Sequence, residues 1–133
     1  MIRMGSSSRG TNAERGAVAV EFALVLPILI VLMLGIIEFG LGYNAQITVS
    51  AAAREGARSM ALHNSVSTAR AATKASAPLA APGITDSEIT ITPIVCSAGL
   101  TTAVTVVHQY KFLTGFFGIG YPMTGKAAMR CGG

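Results

Sequence analysis

The sequence predicts an α+β protein: a long N-terminal transmembrane helix that continues outside the membrane and packs against a small antiparallel sheet of about three strands. Three observations carry this expectation. An apolar run, Phe22 to Ile37, contains no charged residue and is interrupted only by Pro27 and Gly35. From Leu41 to Ala77 the chain is rich in alanine with interspersed Arg, Glu and Lys, a composition that favours helix. Beyond Pro82-Gly83 the pattern changes to alternating Ile, Val and Thr, the period of a half-buried strand.

The first element follows from composition. At 133 residues the chain has room for one domain at most, with 51% hydrophobic and only 12% charged residues; the usual charged share is about 25%. Much of the apolar excess lies between Ala17 and Ile37, where Glu21 is the one charge. Helices of about 20 residues cross a bilayer core of ~30 Å, so this stretch is long enough to span. Residues 1–16 form a basic leader in which Arg3, Arg9 and Arg15 outweigh Glu14. The positive-inside rule puts that leader in the cytoplasm, with the rest of the chain outside after a single pass over residues 17–40. The pI near 9.5 does not indicate nucleic acid, because the basic residues are scattered and no recognition motif accompanies them.

Three readings of this segment differ in what happens to the leader. A cleaved signal peptide suits the basic start, but the run exceeds the usual h-region of about 7–15 residues and no small-x-small site directly follows it; Ala51-Ala52-Ala53 lies well beyond. An uncleaved anchor is compatible with the hydropathy. The third reading is cleavage after Gly16, making Ala17 the new N-terminus. Glycine has no side chain, so a peptidase can close on the backbone there. Glu21 would then lie just inside the membrane with no partner in its own chain, an unfavourable position for a lone carboxylate. The basic leader, Gly16, Glu21 five residues later and Phe22 together resemble the cleavage signal of type IV prepilins and pseudopilins. That resemblance implies that Glu21 pairs with the free N-terminal amine of a neighbouring subunit. Pro27 removes one helical hydrogen bond, and two readings stay open: a tolerated kink, or a bend that lets subunits pack. Glu38 and Tyr43 mark the expected outer interface. Gly35, Gly40 and Gly42 suit either close helix approach or flexibility.

The extracytoplasmic helical region, residues 41–77, has no clean hydrophobic stripe. Ile47, Ala51, Ala57 and Ala61 come closest to a narrow small-residue face. A second segment, Ser65 to Ala77, carries Arg70 and Lys74 at a spacing that suits a solvated face. Three separated blocks now occur in order: Ala19-Val20-Glu21-Phe22-Ala23-Leu24-Val25-Leu26-Pro27, then Glu38-Phe39-Gly40, then Ala52-Ala53-Arg54-Glu55-Gly56-Ala57-Arg58. Together they resemble the TadE-like family, pseudopilins of the tight-adherence (Flp) pilus apparatus, over about residues 16–62. The resemblance implies a pilin-like fold, a processing site formed by Gly16, Ala17, Glu21 and Phe22, and a low-abundance pilus component or assembly factor. The implied partners are a prepilin peptidase, other pilin or pseudopilin subunits, the inner-membrane assembly platform and the lipid bilayer. The implied location is the bacterial cytoplasmic membrane or a surface filament. Glu21, Pro27, Arg54, Glu55 and Arg58 are the candidate packing residues, with helix solubility the competing account of the last three. The alternative is an uncleaved membrane-anchored binding module with no filament role.

The outer part divides into a linker, residues 78–87, and a β-rich domain, residues 88–133. Glu88-Ile89-Thr90-Ile91-Thr92 alternates up to Pro93, which restricts this strand to an edge. Val104, Val106, His108, Tyr110 and Phe112 would share one face of the next strand, after a turn at Ser97-Ala98-Gly99. A last strand is expected from Met123 to Cys131. Cys96 and Cys131 fall at strand ends, and export to an oxidising compartment favours their pairing over two buried thiols. The loop from Gly115 to Gly125, with Phe116, Phe117, Ile119 and Tyr121, is expected to cap the small core; contact with the membrane surface or a neighbouring subunit is the other reading. Nothing indicates an enzyme, a cofactor or a metal. His63 and His108 are far apart in sequence, the cysteines are not at zinc spacing, and no motif frames a nucleophile with Asp86.

Overall fold

The computed structural model describes residues 10–78, 80 and 82–132, with side chains from residue 14 onward; Arg3 and Arg9 of the leader lie outside the described residues. The first helix, α1, is Gly10–His63. By backbone packing the chain divides into two compact units, the first ending at Ile37 and the second beginning at Glu38.

In the first unit α1 is continuous through Pro27. Its apolar side chains, among them Leu24, Ile28, Leu32 and Ile36, are exposed. A helix that is apolar all round and carries no protein cover is suited to lipid. Among the described residues this is the one helix long and apolar enough to cross a membrane.

The second unit holds the rest of α1, a second helix α2 (Val66–Ala75), a 3-10 turn at Asp86–Glu88, and three strands: β1 (Ile89–Thr92), β2 (Thr101–Tyr110) and β3 (Tyr121–Arg130). The strands form one antiparallel sheet in the order β1-β2-β3. This is the α+β architecture expected, with α1 against a three-stranded sheet. Asn64 ends α1: it takes a left-handed φ of 48° and donates its N–H to the Met60 carbonyl, a conformation asparagine tolerates at a helix end. Ser65 then caps α2 by accepting from the Thr68 N–H. Pro93 follows β1 directly, and β1 is a four-residue edge strand.

The core lies between the helices and one face of the sheet. Val104 and Val106 of β2 and Ile89 and Ile91 of β1 meet Val49, Ala52, Ala53, Ala57 and Met60 of α1, with Ala69 of α2. The opposite face carries Thr101, Ala103, Val107 and Gln109 exposed. The helix face differs in part from the one expected: Ala57 is buried as expected and Ala61 is half-buried. Ile47 and Ala51 point outward; the buried face runs through Ala45, Val49, Ala52, Ala53, Ala57 and Met60. The reason is steric. A Cβ at Gly56 would overlap the Thr73 hydroxyl, and one at Gly125 of β3 would overlap the Val49 carbonyl, so the face that docks is the one whose glycines and alanines let backbone approach backbone.

The loop between β2 and β3 also departs from expectation. It does not cap the core. Phe116 is 64% and Ile119 89% exposed. The residues that close this end of the core are its flanks: Phe112, Tyr110 and Tyr121 form an aromatic triangle with ring centroids 5.8–5.9 Å apart, packed with Ala45 and Met123. Gly118 and Gly120 take φ of +119° and +128°, and a Cβ on Gly120 would also strike the Tyr110 carbonyl, whereas Gly118 faces open space. Gly118→Ala is therefore expected to lose about 1–3 kcal/mol from backbone strain alone, and Gly120→Ala clearly more. Thermal melts of the two variants check this; equal losses would mean that the Tyr110 contact does not constrain the loop.

Candidate functional site

The residues expected to form the processing site all lie on α1. Gly16 has nothing within 4 Å of where a Cβ would stand, so its backbone is open to approach. Ala17, Glu21 and Phe22 are exposed, and Glu21 has no salt bridge among the described residues. Gly16, Ala17, Glu21 and Phe22 thus follow one another along a single uncovered stretch of helix. Pro27 lies farther along the same exposed stretch.

Arg54, Glu55 and Arg58 lie on the second half of α1. Arg58 Nη1 stands 3.9 Å from Glu55 Oε2, with both side chains about half exposed. A helical i, i+3 pair in solvent contributes only a few tenths of a kcal/mol. Arg54 is exposed beside them. Cys96 and Cys131 form a disulfide with Cα atoms 5.4 Å apart. It stands beside two further ties: the Cys96 N–H donates to Asn64 Oδ1 at 2.6 Å, and the Cys131 N–H to the Leu100 carbonyl at 2.8 Å. The bridge therefore joins the end of α1, the β1–β2 turn and the C-terminus.

Two buried polar arrangements were not anticipated. Glu38, the residue after the apolar run, is 2% exposed. Its carboxylate accepts the Leu113 N–H (3.0 Å), the Thr114 N–H (2.7 Å) and the Thr114 hydroxyl (2.7 Å). Charge-assisted donors of this kind are what a buried carboxylate requires. No local pattern announces the contact, because its partners are 75 and 76 residues away.

The second arrangement joins Glu88 to His108 of β2. Glu88 Oε1 lies 3.0 Å from His108 Nδ1, and Glu88 Oε2 accepts from the Thr85 N–H and hydroxyl. The carboxylate at the third position after Thr85 reaching back to the Thr85 N–H is one half of a capping box, a signal present in Thr85-Asp86-Ser87-Glu88. His108 Nε2 is buried without a hydrogen-bond partner, which favours Nδ1–H donating to the carboxylate and leaving only a lone pair uncompensated at Nε2. Burial works against the Glu88 charge, but the bonds from Thr85 and His108 outweigh it and hold the carboxyl below its ordinary value. A lowered folded-state value means that the stabilisation is complete above the unfolded glutamate value, about 4.3, and is lost as pH falls through the folded one. Acid titration of stability should therefore steepen below roughly pH 4.3, and Glu88→Gln should flatten that limb. An unchanged limb in the variant would assign the acid sensitivity to other carboxylates.

Among the described residues no group of three His, Cys, Asp or Glu side chains could hold a metal ion. No curated protein and no solved structure matches the chain. One family model does, over the segment that contains Gly16, Glu21, Pro27, Glu38 and the Arg54–Arg58 block: residues 16–58 match TadE-like protein, and the chain carries a TadE-like segment along α1.

Proposed function

We propose that this chain is a minor pilin-like (pseudopilin) subunit or assembly factor of a tight-adherence pilus, cut after Gly16 by a prepilin peptidase and assembled through its hydrophobic helix. The observation that carries the reading is the TadE-like match, which begins at Gly16 and runs through the apolar helix into the outer domain. The exposure of the apolar helix supports assembly in lipid and against other helices. Glu21 then meets the new terminal amine of a neighbour, an opposite charge that relieves the cost of a carboxylate in the membrane. Its partners in this reading are the peptidase, other pilin-like subunits, the assembly platform and the bilayer. The chain does no chemistry of its own.

The test is the N-terminus of the membrane-extracted protein, read by intact mass and N-terminal peptide mass spectrometry. A chain starting at Ala17 is expected where the peptidase is active, and the full leader where it is deleted. A leader retained in both would replace this reading with the uncleaved, anchored binding module. Glu21→Ala gives a second readout. The variant should still insert, with membrane-fraction yield unchanged, but should no longer co-purify with pilin-like subunits. Undiminished co-purification would remove Glu21 from assembly.

A further inference from the structure

The β2–β3 loop projects aromatic and aliphatic side chains that serve no purpose within the fold. Leu113 (74% exposed), Phe116, Phe117 and Ile119 are uncovered. Between Lys111 and Lys126 no residue carries a charge. Phe116 and Phe117 pack edge to face at 5.2 Å, so they are presented as one hydrophobic unit. The conformation that presents them is built in, because Gly115, Gly118 and Gly120 all take positive φ.

What the loop is tied to indicates its occupant. The Leu113 and Thr114 amides and the Thr114 hydroxyl donate to Glu38, and Glu38 directly follows Ile37, the last residue of the apolar run. The loop is thereby held at the residue where the apolar run ends. Exposed Phe39 and Tyr43 follow within the next turns of α1. Tyrosine is enriched where a bilayer meets water, and exposed Phe and Leu side chains bury into the boundary between headgroups and acyl chains. Glu38 is buried there, and a buried carboxylate needs hydrogen-bond donors, of which the loop brings three.

We propose that the Leu113–Gly120 loop, with Phe39 and Tyr43, is a membrane-interface anchor that lies in the headgroup region of the outer leaflet around the exit of α1. The loop shields Glu38 from lipid while its aromatic side chains fix the depth at which the outer domain sits. This requires only that α1 spans the membrane, and it holds whether or not the leader is removed.

The chain has no tryptophan, so a single introduced one reports alone. Full-length Phe116→Trp and, separately, Phe117→Trp are placed in nanodiscs of phosphatidylcholine and phosphatidylglycerol, one chain per disc. Ile94→Trp serves as the control, since exposed Ile94 follows β1 at the end of the sheet away from the loop. Emission from the two loop variants is expected to shift to shorter wavelength, to lose most of its intensity with lipids bearing a nitroxide near the headgroup, and to resist aqueous iodide. Ile94→Trp should show the reverse. Loop emission that iodide quenches and lipid nitroxide does not would overturn the proposal in favour of a water-exposed loop. Emission shielded from both would overturn it in favour of packing against protein, and lipid quenching of Ile94→Trp would show a domain lying flat on the bilayer with no specific anchor.

Discussion

Replacing Cys96 and Cys131 together by serine is expected to destabilise the unit that begins at Glu38 by roughly 4 kcal/mol, the chain-entropy value for opening a loop of about 36 residues. In a folded unit of this size that corresponds to a fall in melting temperature of roughly 15–30 °C. The estimate is large because of what the loop contains. Between the two cysteines lie β2, the aromatic loop and β3, so the cross-link limits the unfolded freedom of most of the sheet. It also closes the sheet where closure is otherwise thin. β3 is an edge strand whose hydrogen-bonded neighbour is β2 alone, with Gln46 Nε2 donating to the Thr124 carbonyl at 3.0 Å as a further tie to α1. A three-stranded sheet is marginal without such support. Thermal unfolding of the detergent-solubilised full chain, with and without reductant, checks this. Reductant should lower the wild-type midpoint to that of the double variant and leave the variant unmoved. A wild-type midpoint insensitive to complete reduction would mean that α1 packing alone holds the sheet.

The parts of this structure that sequence reasoning reached are those whose signal is local. The apolar run to Ile37, the alternation in Glu88–Thr92 and Val104–Tyr110, and Pro93 as the stop for an edge strand depend on neighbours one to four residues apart, and the helix and the first two strands formed there. The inward face of β2 was legible for the same reason: Val104, Val106, His108 and Tyr110 are all buried, while Phe112, expected on the same face, lies beyond the end of β2. The docking face of α1 was not legible. Choosing between Ile47–Ala51 and Ala45–Val49 required knowing that Gly56 would meet Thr73 and that Gly125 would meet the Val49 carbonyl. Spacing alone allowed either small-residue face, and the tertiary contacts at Gly56 and Gly125 selected one. The role of Glu38 was hidden more deeply. Read alone, a carboxylate that ends an apolar run is an interface residue; its hydrogen-bond partners lie 75 and 76 residues away. The Glu88 contact to Thr85 falls between these cases, with a legible half-box and a distant partner, His108, that no spacing rule supplies.

Glu38→Ala should release the aromatic loop while leaving the secondary structure in place. Three donors converge on this carboxylate, and alanine offers none of them an acceptor. Removing one partner from a buried hydrogen bond leaves the other unsatisfied unless it moves to water, so the amides of Leu113 and Thr114 can be solvated only if the start of the loop lifts. The Thr114 hydroxyl also accepts from the Phe116 N–H at 3.4 Å, so the disturbance passes directly to the exposed aromatic pair. The flanks are held independently, by Tyr110 and Phe112 packing with Ala45 and Met123 and by Tyr121 stacking on both rings. They limit the opening to about residues 113–120. Hydrogen exchange of the full chain in detergent reads this segment by segment. Peptides covering Leu113 and Thr114 should exchange faster by on the order of tenfold or more, while those covering β2 and β3 keep their protection. Glu38→Gln separates charge from shape. It retains one acceptor oxygen for either Thr114 or Leu113 but turns an NH2 group toward the other donor, so its exchange should fall between wild type and Glu38→Ala. Loop protection unchanged in Glu38→Ala would mean that the aromatic packing holds the loop and that the carboxylate is merely covered by it. Loss of protection throughout β2 and β3 would instead make Glu38 a structural keystone of the whole sheet, and the loop could no longer be treated as a separately anchored element.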